Sequence, residues 1–189
     1  MPVKTSYTPE DYLRLEESAD FRSEYYDGEI IPMAGGSPNH NRIAGNLYAA
    51  LLIALHNKPL DTFINDLKVE LPQHHSFTYP DVMVVEKPLA FTENRKDCIK
   101  NPLLIAEVLS DSTESYDRGK KFKRYRSLPS LREYVLISQK RRQVERFVKD
   151  DKEQWLLSDF EGDDTLRLAS VAFELSLADL YARVNFAED

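Results

Sequence analysis

Leu103-Leu104-Ile105-Ala106-Glu107-Val108-Leu109 is apolar throughout except for one carboxylate near its end. Such a run predicts a central strand buried on both faces. An unpaired charge there would cost several kcal/mol or stay protonated. Glu107 therefore needs a cation, a hydrogen-bond partner or a metal ion. Upstream, Tyr79-Pro80-Asp81-Val82-Met83-Val84-Val85 poses the same problem with Asp81. Two acids on core strands repel each other unless positive charge lies between them, and Mg²⁺ is held by one or two carboxylates plus waters and substrate phosphates. The plainer alternative pairs each acid separately with a buried Arg or Lys, or leaves it at a strand end.

Working outward, Thr8-Pro9-Glu10-Asp11 carries a capping threonine, a proline at the first helical position and acids in the first turn, predicting a helix to about Ser18. Glu24 to Ile31 reads as two short strands around Asp27-Gly28. From Pro38, the apolar spacing Ile43, Leu47, Leu51, Leu55 predicts a long amphipathic helix that ends before Pro59. Thr62 to Leu71 alternates like a strand, and the strand around Asp81 follows a loop with His74 and His75. After Glu107 come a basic helix from about Thr113 to Leu128 and strands at 133–138, 143–149 and 154–159. A short helix near Leu177–Tyr181 closes the chain. The order predicts a mixed sheet with helices packed on it.

Length bounds the rest. A chain of 189 residues suits one domain, 1–189, with a sizeable core. No apolar run approaches a membrane span, and Met1-Pro2-Val3-Lys4-Thr5 lacks the apolar stretch of a secretory signal. With a single cysteine, Cys98, the expected setting is a reducing cytoplasm. The net charge of −7 argues against a nucleic-acid partner, but its distribution does not. Arg118 to Lys149 holds 12 basic and 2 acidic residues, +10, against 13 basic and 30 acidic elsewhere, −17. Such asymmetry marks either a nucleic-acid surface or a solvated helix and hairpin.

The ordered string Glu24, Asp27-Gly28-Glu29, Pro38–His40, Tyr79-Pro80-Asp81-Val82, Glu107-Val108-Leu109-Ser110 continues through Tyr116-Asp117-Arg118-Gly119-Lys120-Lys121, Tyr125 and Glu133–Ile137. It resembles the PD-(D/E)XK nuclease superfamily, and more closely its Uma-two family of restriction-endonuclease-like proteins. The resemblance implies an α/β fold, a restriction-endonuclease-like mixed β-sheet flanked by helices. It further implies Asp81 and Glu107 as ligands of Mg²⁺ (or Mn²⁺), with Glu24 as a third acid. One position departs from the superfamily pattern. Two residues after the acid, where a lysine is expected, stands Leu109. Resemblance to the Uma-two branch implies a replacement lysine on the following helix, Lys121, with Lys120 in reserve. Asp117, Lys121 and Tyr125 are four apart and share one helical face. The alternative is a solvated Lys121 beside an exposed Asp117.

Other residues carry less. Glu70 could equally approach a metal. His40 opens the long helix as a capping or packing histidine; His56 suits a helix C-terminus. His74-His75 alone makes no metal site, and Asp27-Gly28 is explained by its turn. The functional expectation is a metal-dependent nuclease in which Asp81, Glu107 and Lys121 act on phosphodiesters of nucleic acid, DNA first. Leu109 keeps open a catalytically inactive nuclease fold that binds nucleic acid or protein. A homodimer built through Tyr25, Tyr26, Phe63, Phe122, Tyr125 and Tyr134 is a further possibility. A metal-free glycoside hydrolase fits the acid pair but not the basic segment.

Overall fold

The structure, a computed structural model, describes residues 6–33 and 35–187. Met1–Thr5, read above for the lack of a signal segment, lie outside the described residues. Helix α1 (Pro9–Glu16) begins as its sequence predicts: Thr8 and Asp11 exchange side-chain and backbone bonds in a capping box. Strands β1 (Ser23–Tyr26) and β2 (Glu29–Pro32) pair antiparallel across Asp27 and Gly28, both at positive φ. Helix α2 (Pro38–Leu55) is capped by Ser37 and buries Ile43, Leu47, Leu51 and Leu55 along one stripe.

The strand expected from Thr62 to Leu71 is two strands, β3 (Leu60–Ile64) and β4 (Lys68–Leu71), which enter different sheets. The chain breaks at Asn65, whose φ is positive. Next come β5 (Ser76–Thr78), β6 (Val82–Glu86), β7 (Cys98–Ile99) and β8 (Pro102–Leu109). The basic segment is not one regular α-helix. Helix α3 (Glu114–Tyr116) runs through a π-turn (Asp117–Lys121) into α4 (Phe122–Tyr125). The chain ends in β9 (Glu133–Ser138), β10 (Gln143–Lys149), β11 (Trp155–Glu161), a hairpin of β12 (Thr165–Leu168) and β13 (Phe173–Ser176), and helix α5 (Leu177–Leu180). Sequence periodicity missed β5, β7 and that hairpin, because strands of two to four residues are too short to show a period.

Six strands in the order β11-β10-β9-β8-β6-β3 form a mixed sheet in which β8 and β9 are the parallel pair. Five others, β2-β1-β5-β4-β7, form a second sheet. The α/β class and the mixed sheet flanked by helices agree with expectation; the division into two sheets does not follow from the sequence. Strand β8 is internal and buried on both faces. Leu104, Ala106 and Val108 pack with α2 and α5, whereas Ile105 and Leu109 pack under Phe122, Tyr125 and Leu128. At roughly 1.5–3 kcal/mol for each fully buried large aliphatic side chain, this strand anchors both cores.

Five of the six aromatics considered for a homodimer, Tyr25, Tyr26, Phe122, Tyr125 and Tyr134, are buried in the chain's own core, and Phe63 packs against it. These rings pack within the chain, Phe63 only half-buried. Among the described residues, no helix is long and apolar enough to cross a membrane.

Candidate active site

Alternation along the strands brings the two acids together. On β6, Val82 and Val84 face the α2 core while Met83 and Val85 face the other; on β8, Ala106 faces α2 and Ile105 does not. Glu107 therefore points away from the α2 core, and Asp81, one residue before β6, lies at the strand end within reach of His40 in the first turn of α2. Val82 pairs with Ala106, so the antiparallel register sets Asp81 opposite Glu107. Asp81 Oδ2 accepts the Val108 N–H at 2.7 Å, and His40 Nε2 lies 3.1 Å from the same oxygen.

The helix after β8 adds the cation. The π-turn turns Asp117 and Lys121 inward, both buried, and leaves Gly119 and Lys120 exposed. Lys121 Nζ lies 2.8 Å from Glu107 Oε1, 3.4 Å from Glu24 Oε1 and 3.6 Å from Asp117 Oδ1. Leu109, on the Glu107 face of β8, is core; the ammonium reaches Glu107 from the helix instead. Lys120, the reserve, is exposed and does not line the site.

Hydrogen bonds fix the acids. Tyr125 donates its hydroxyl to Glu107 Oε1 at 3.0 Å and shares a 2.8 Å bond with Thr78 Oγ1. Glu24 Oε1 accepts the Tyr79 N–H at 3.2 Å, and Glu24 Oε2 accepts from the Tyr26 hydroxyl. Glu24, Asp81, Glu107, Asp117, His40 and Lys121 all line one cleft of about 560 Å³. A smaller cleft of about 350 Å³, beside His56 and Lys87 at the edge strand β3, contains none of these groups.

Charge in this cleft is unbalanced: four carboxylates face Lys121 and His40. Burial lifts the Glu107 carboxyl well above its usual range; Lys121 opposes the rise, and Asp81 and Asp117 add to it. Burial also raises Asp117, again against Lys121. Desolvation alone would lower Lys121, but Glu107 and Glu24 hold its pKa well above the ordinary lysine value, so it stays charged. His40 is likewise lowered by burial but raised further by its hydrogen bond to Asp81, and the net shift is upward. Hard oxygen donors with excess negative charge are a donor set that fits a divalent ion such as Mg²⁺. Among the described residues no three His, Cys, Asp or Glu side chains form a ready-made metal nest. An ion here would complete its shell with water and substrate oxygen.

The structure brings Asp81, Glu107, Glu24 and Lys121 together. Glu70 is elsewhere, accepting a 2.6 Å bond from Thr92 Oγ1. His56 closes α2, its Nδ1 2.9 Å from Ile53 O, and His74-His75 sits in a short 3-10 turn outside the cleft. Three contributions were given no role by the sequence reading. Asp117, set there on one helical face with Lys121 and Tyr125 or, alternatively, left exposed beside a solvated Lys121, is buried in the site. Tyr125 acts through a hydroxyl bond that helical spacing does not reveal. His40 contacts Asp81 across 41 residues of chain, which no local pattern encodes.

The fold and the cleft define a restriction-endonuclease-like α/β protein. The family model described as "Uma2: Putative restriction endonuclease" matches residues 9–179, and the chain belongs to that family. Two proteins of Synechocystis sp. (strain ATCC 27184 / PCC 6803 / Kazusa) are similar to it. Uncharacterized protein sll1609 is 41% identical over 157 residues, covering 83% of this chain and 89% of its own length. Uncharacterized protein slr1290 is 35% identical over 181 residues, covering 95% and 93%. A crystal structure of "a putative nuclease belonging to DUF820" from Anabaena variabilis has the same fold, with a TM-score of 0.78. It is 19% identical, covering 95% of this chain and 99% of its own.

Proposed function

We propose that the chain is a metal-dependent nuclease that hydrolyses phosphodiester bonds in this cleft. The observation that carries the reading is the Lys121 ammonium, 2.8 Å from Glu107 and 3.4 Å from Glu24, in a group of four carboxylates drawn from four parts of the chain, Glu107 and Asp117 buried and Glu24 and Asp81 half-buried. Asp81 and Glu107, with Glu24 as third acid, would hold Mg²⁺ or Mn²⁺, which when bound supplies Lewis acidity toward a phosphate oxygen. Lys121 orients the attacking water and neutralises negative charge developing on the phosphate. Val108 N–H and His40 hold Asp81 in place, and the Tyr125 hydroxyl holds Glu107. The substrate is nucleic acid, with DNA the first to test.

One observation favours a second reading. The Lys121 ammonium already neutralises part of the acid cluster without a metal, as it would in an inactive binding module. A cleavage assay with plasmid, single-stranded DNA and RNA in Mg²⁺ and Mn²⁺ separates the two. Wild type should cleave at least one substrate, and Asp81→Ala, Glu107→Gln and Lys121→Met should each lose that activity while circular dichroism reports a retained fold. Cleavage undiminished in Asp81→Ala would remove the assignment, and no cleavage by wild type would favour the binding module.

A further inference from the structure

The cleft has a second wall that hydrolysis alone does not require. Ile31, Pro32 and Met33, at the end of edge strand β2, line the same cleft as the carboxylates and are exposed, Ile31 at 45% and Met33 at 36%. An exposed apolar lip beside a group of carboxylates offers a ligand surface. Two tyrosines, Tyr26 and Tyr116, also line the cleft, with their rings edge to face at 5.4 Å. Arg124 covers them: its guanidinium carbon lies 4.3 Å from the Tyr26 ring centre, and Nη1 donates to the Tyr116 hydroxyl at 2.7 Å. Lys123, exposed, precedes it in sequence.

Duplex nucleic acid fits this surface poorly. A paired helix presents phosphates and groove edges and keeps its base faces stacked inside, so an apolar lip meets nothing apolar. Duplex binding also rests on many Lys and Arg contacts to phosphate. Among the described residues lining the cleft the only lysine or arginine is Lys121, which is buried among carboxylates, so phosphate contacts to either form come from outside the cleft, where Lys120, Lys123 and Arg124 lie. A cleft of about 560 Å³ accommodates a nucleotide or two, not a paired helix. A single strand has the complementary features: an unstacked base with an apolar face, and a flexible backbone that can reach both the acids and Arg124. Basic residues interleaved with aromatic and apolar surface are what single-strand binders use.

We propose that the cleft takes an unpaired strand, one nucleobase resting on the lip of Ile31, Pro32 and Met33 beside the scissile phosphate. This rests on the nuclease reading above and adds the substrate class. The test uses one oligonucleotide sequence as single strand, as perfect duplex and as duplex with a central unpaired bubble, incubated with the full chain and Mn²⁺. Single strand should be cleaved fastest, and the bubbled duplex should be cut within the bubble. An Ile31→Ser/Met33→Ser variant should lose about tenfold in kcat/KM on single strand, the scale of one base contact. Ile53→Ser, an equally apolar change on exposed α2 outside the cleft, should lose nothing. Duplex cut as fast as single strand would overturn the inference and leave the nuclease reading standing. A single-strand preference undiminished in the Ile31→Ser/Met33→Ser variant would overturn the role of the lip. No cleavage of any of the three would overturn both readings.

Discussion

At the scale of single residues, an acid inside an apolar strand is a reliable sign of a partner but not of function. Glu107 sits inside such a run and Glu133 opens one after Arg132, and both are buried. Glu107 faces Lys121 in the cleft. Glu133 instead accepts the backbone N–H groups of Ala169 and Ser170 and the Ser170 hydroxyl, with Arg146 3.7 Å away. It ties β9 to the turn before β13. Glu133→Ala should therefore cost about 3 kcal/mol or more in urea unfolding, because it strands those donors. Cleavage per folded molecule should be unchanged; a stable variant would contradict the structural role. Tyr125→Phe should behave in the opposite way. Without its hydroxyl Glu107 loses an orienting bond, and activity should drop about 10-fold or more while the fold survives. Full activity in Tyr125→Phe would show that Glu107 is held well enough without it. The sequence carried the burial of Glu107 and, through the resemblance, pointed to Lys121; it did not single out Glu133, whose partners lie 13 to 37 residues away along the chain.

At the scale of elements, what was legible followed from periodicity and caps. The α1 capping box, the α2 stripe, the Asp27-Gly28 hairpin and β8 to β11 were each written in local residues. The π-turn was not, because one extra residue in a helical turn leaves spacing by four intact for Asp117, Lys121 and Tyr125. Nor was β7, two residues long, paired with β4 and flanked by a side-chain cluster. Arg95 makes two bonds of 2.7 Å to Asp97, and Lys68 of β4 lies 2.6 Å from the same carboxylate. Arg95 first, and then Lys68, holds the Asp97 carboxyl well below the usual carboxylate range. A depressed folded-state pKa stabilises above the unfolded value, about 4, and that stability is lost as pH falls toward the folded value. Thermal melts from neutral pH down to about pH 2 should thus show a decline in wild type that is shallower in Asp97→Asn. Equal slopes would mean that this cluster contributes nothing to acid stability.

At the scale of the whole molecule, the +10 count of the basic segment overstates its free positive charge. Much of its charge is paired: Arg118 with Glu114 and Glu145, Arg132 and Lys149 with Glu153, Lys140 with Asp111, Arg142 with Asp163. Lys120, Lys123 and Arg126 on the helix remain exposed, with half-buried Arg124 beside the cleft. Composition counts charges without regard to such pairing. With three or four phosphate contacts, binding to a single strand should weaken with salt at a log–log slope of about −2 to −3. A Lys120→Ala/Lys123→Ala variant should flatten that slope by about 1.4. An unchanged slope would place the strand on another face.

The site itself gathers α2, β1, β8, the loop before β6 and the π-turn, a convergence that depends on two sheets the sequence merged into one. Its central claim is that Asp81 and Glu107 hold a divalent ion for phosphodiester hydrolysis. The direct measurement is isothermal titration of Mg²⁺ and Mn²⁺ into wild type and Asp81→Ala, each then assayed for cleavage of single-stranded DNA. Metal binding and metal-dependent cleavage in wild type, both absent from the folded variant, are the expected result. Wild type that binds neither ion at millimolar concentration, or that cleaves equally well without Asp81, would contradict it.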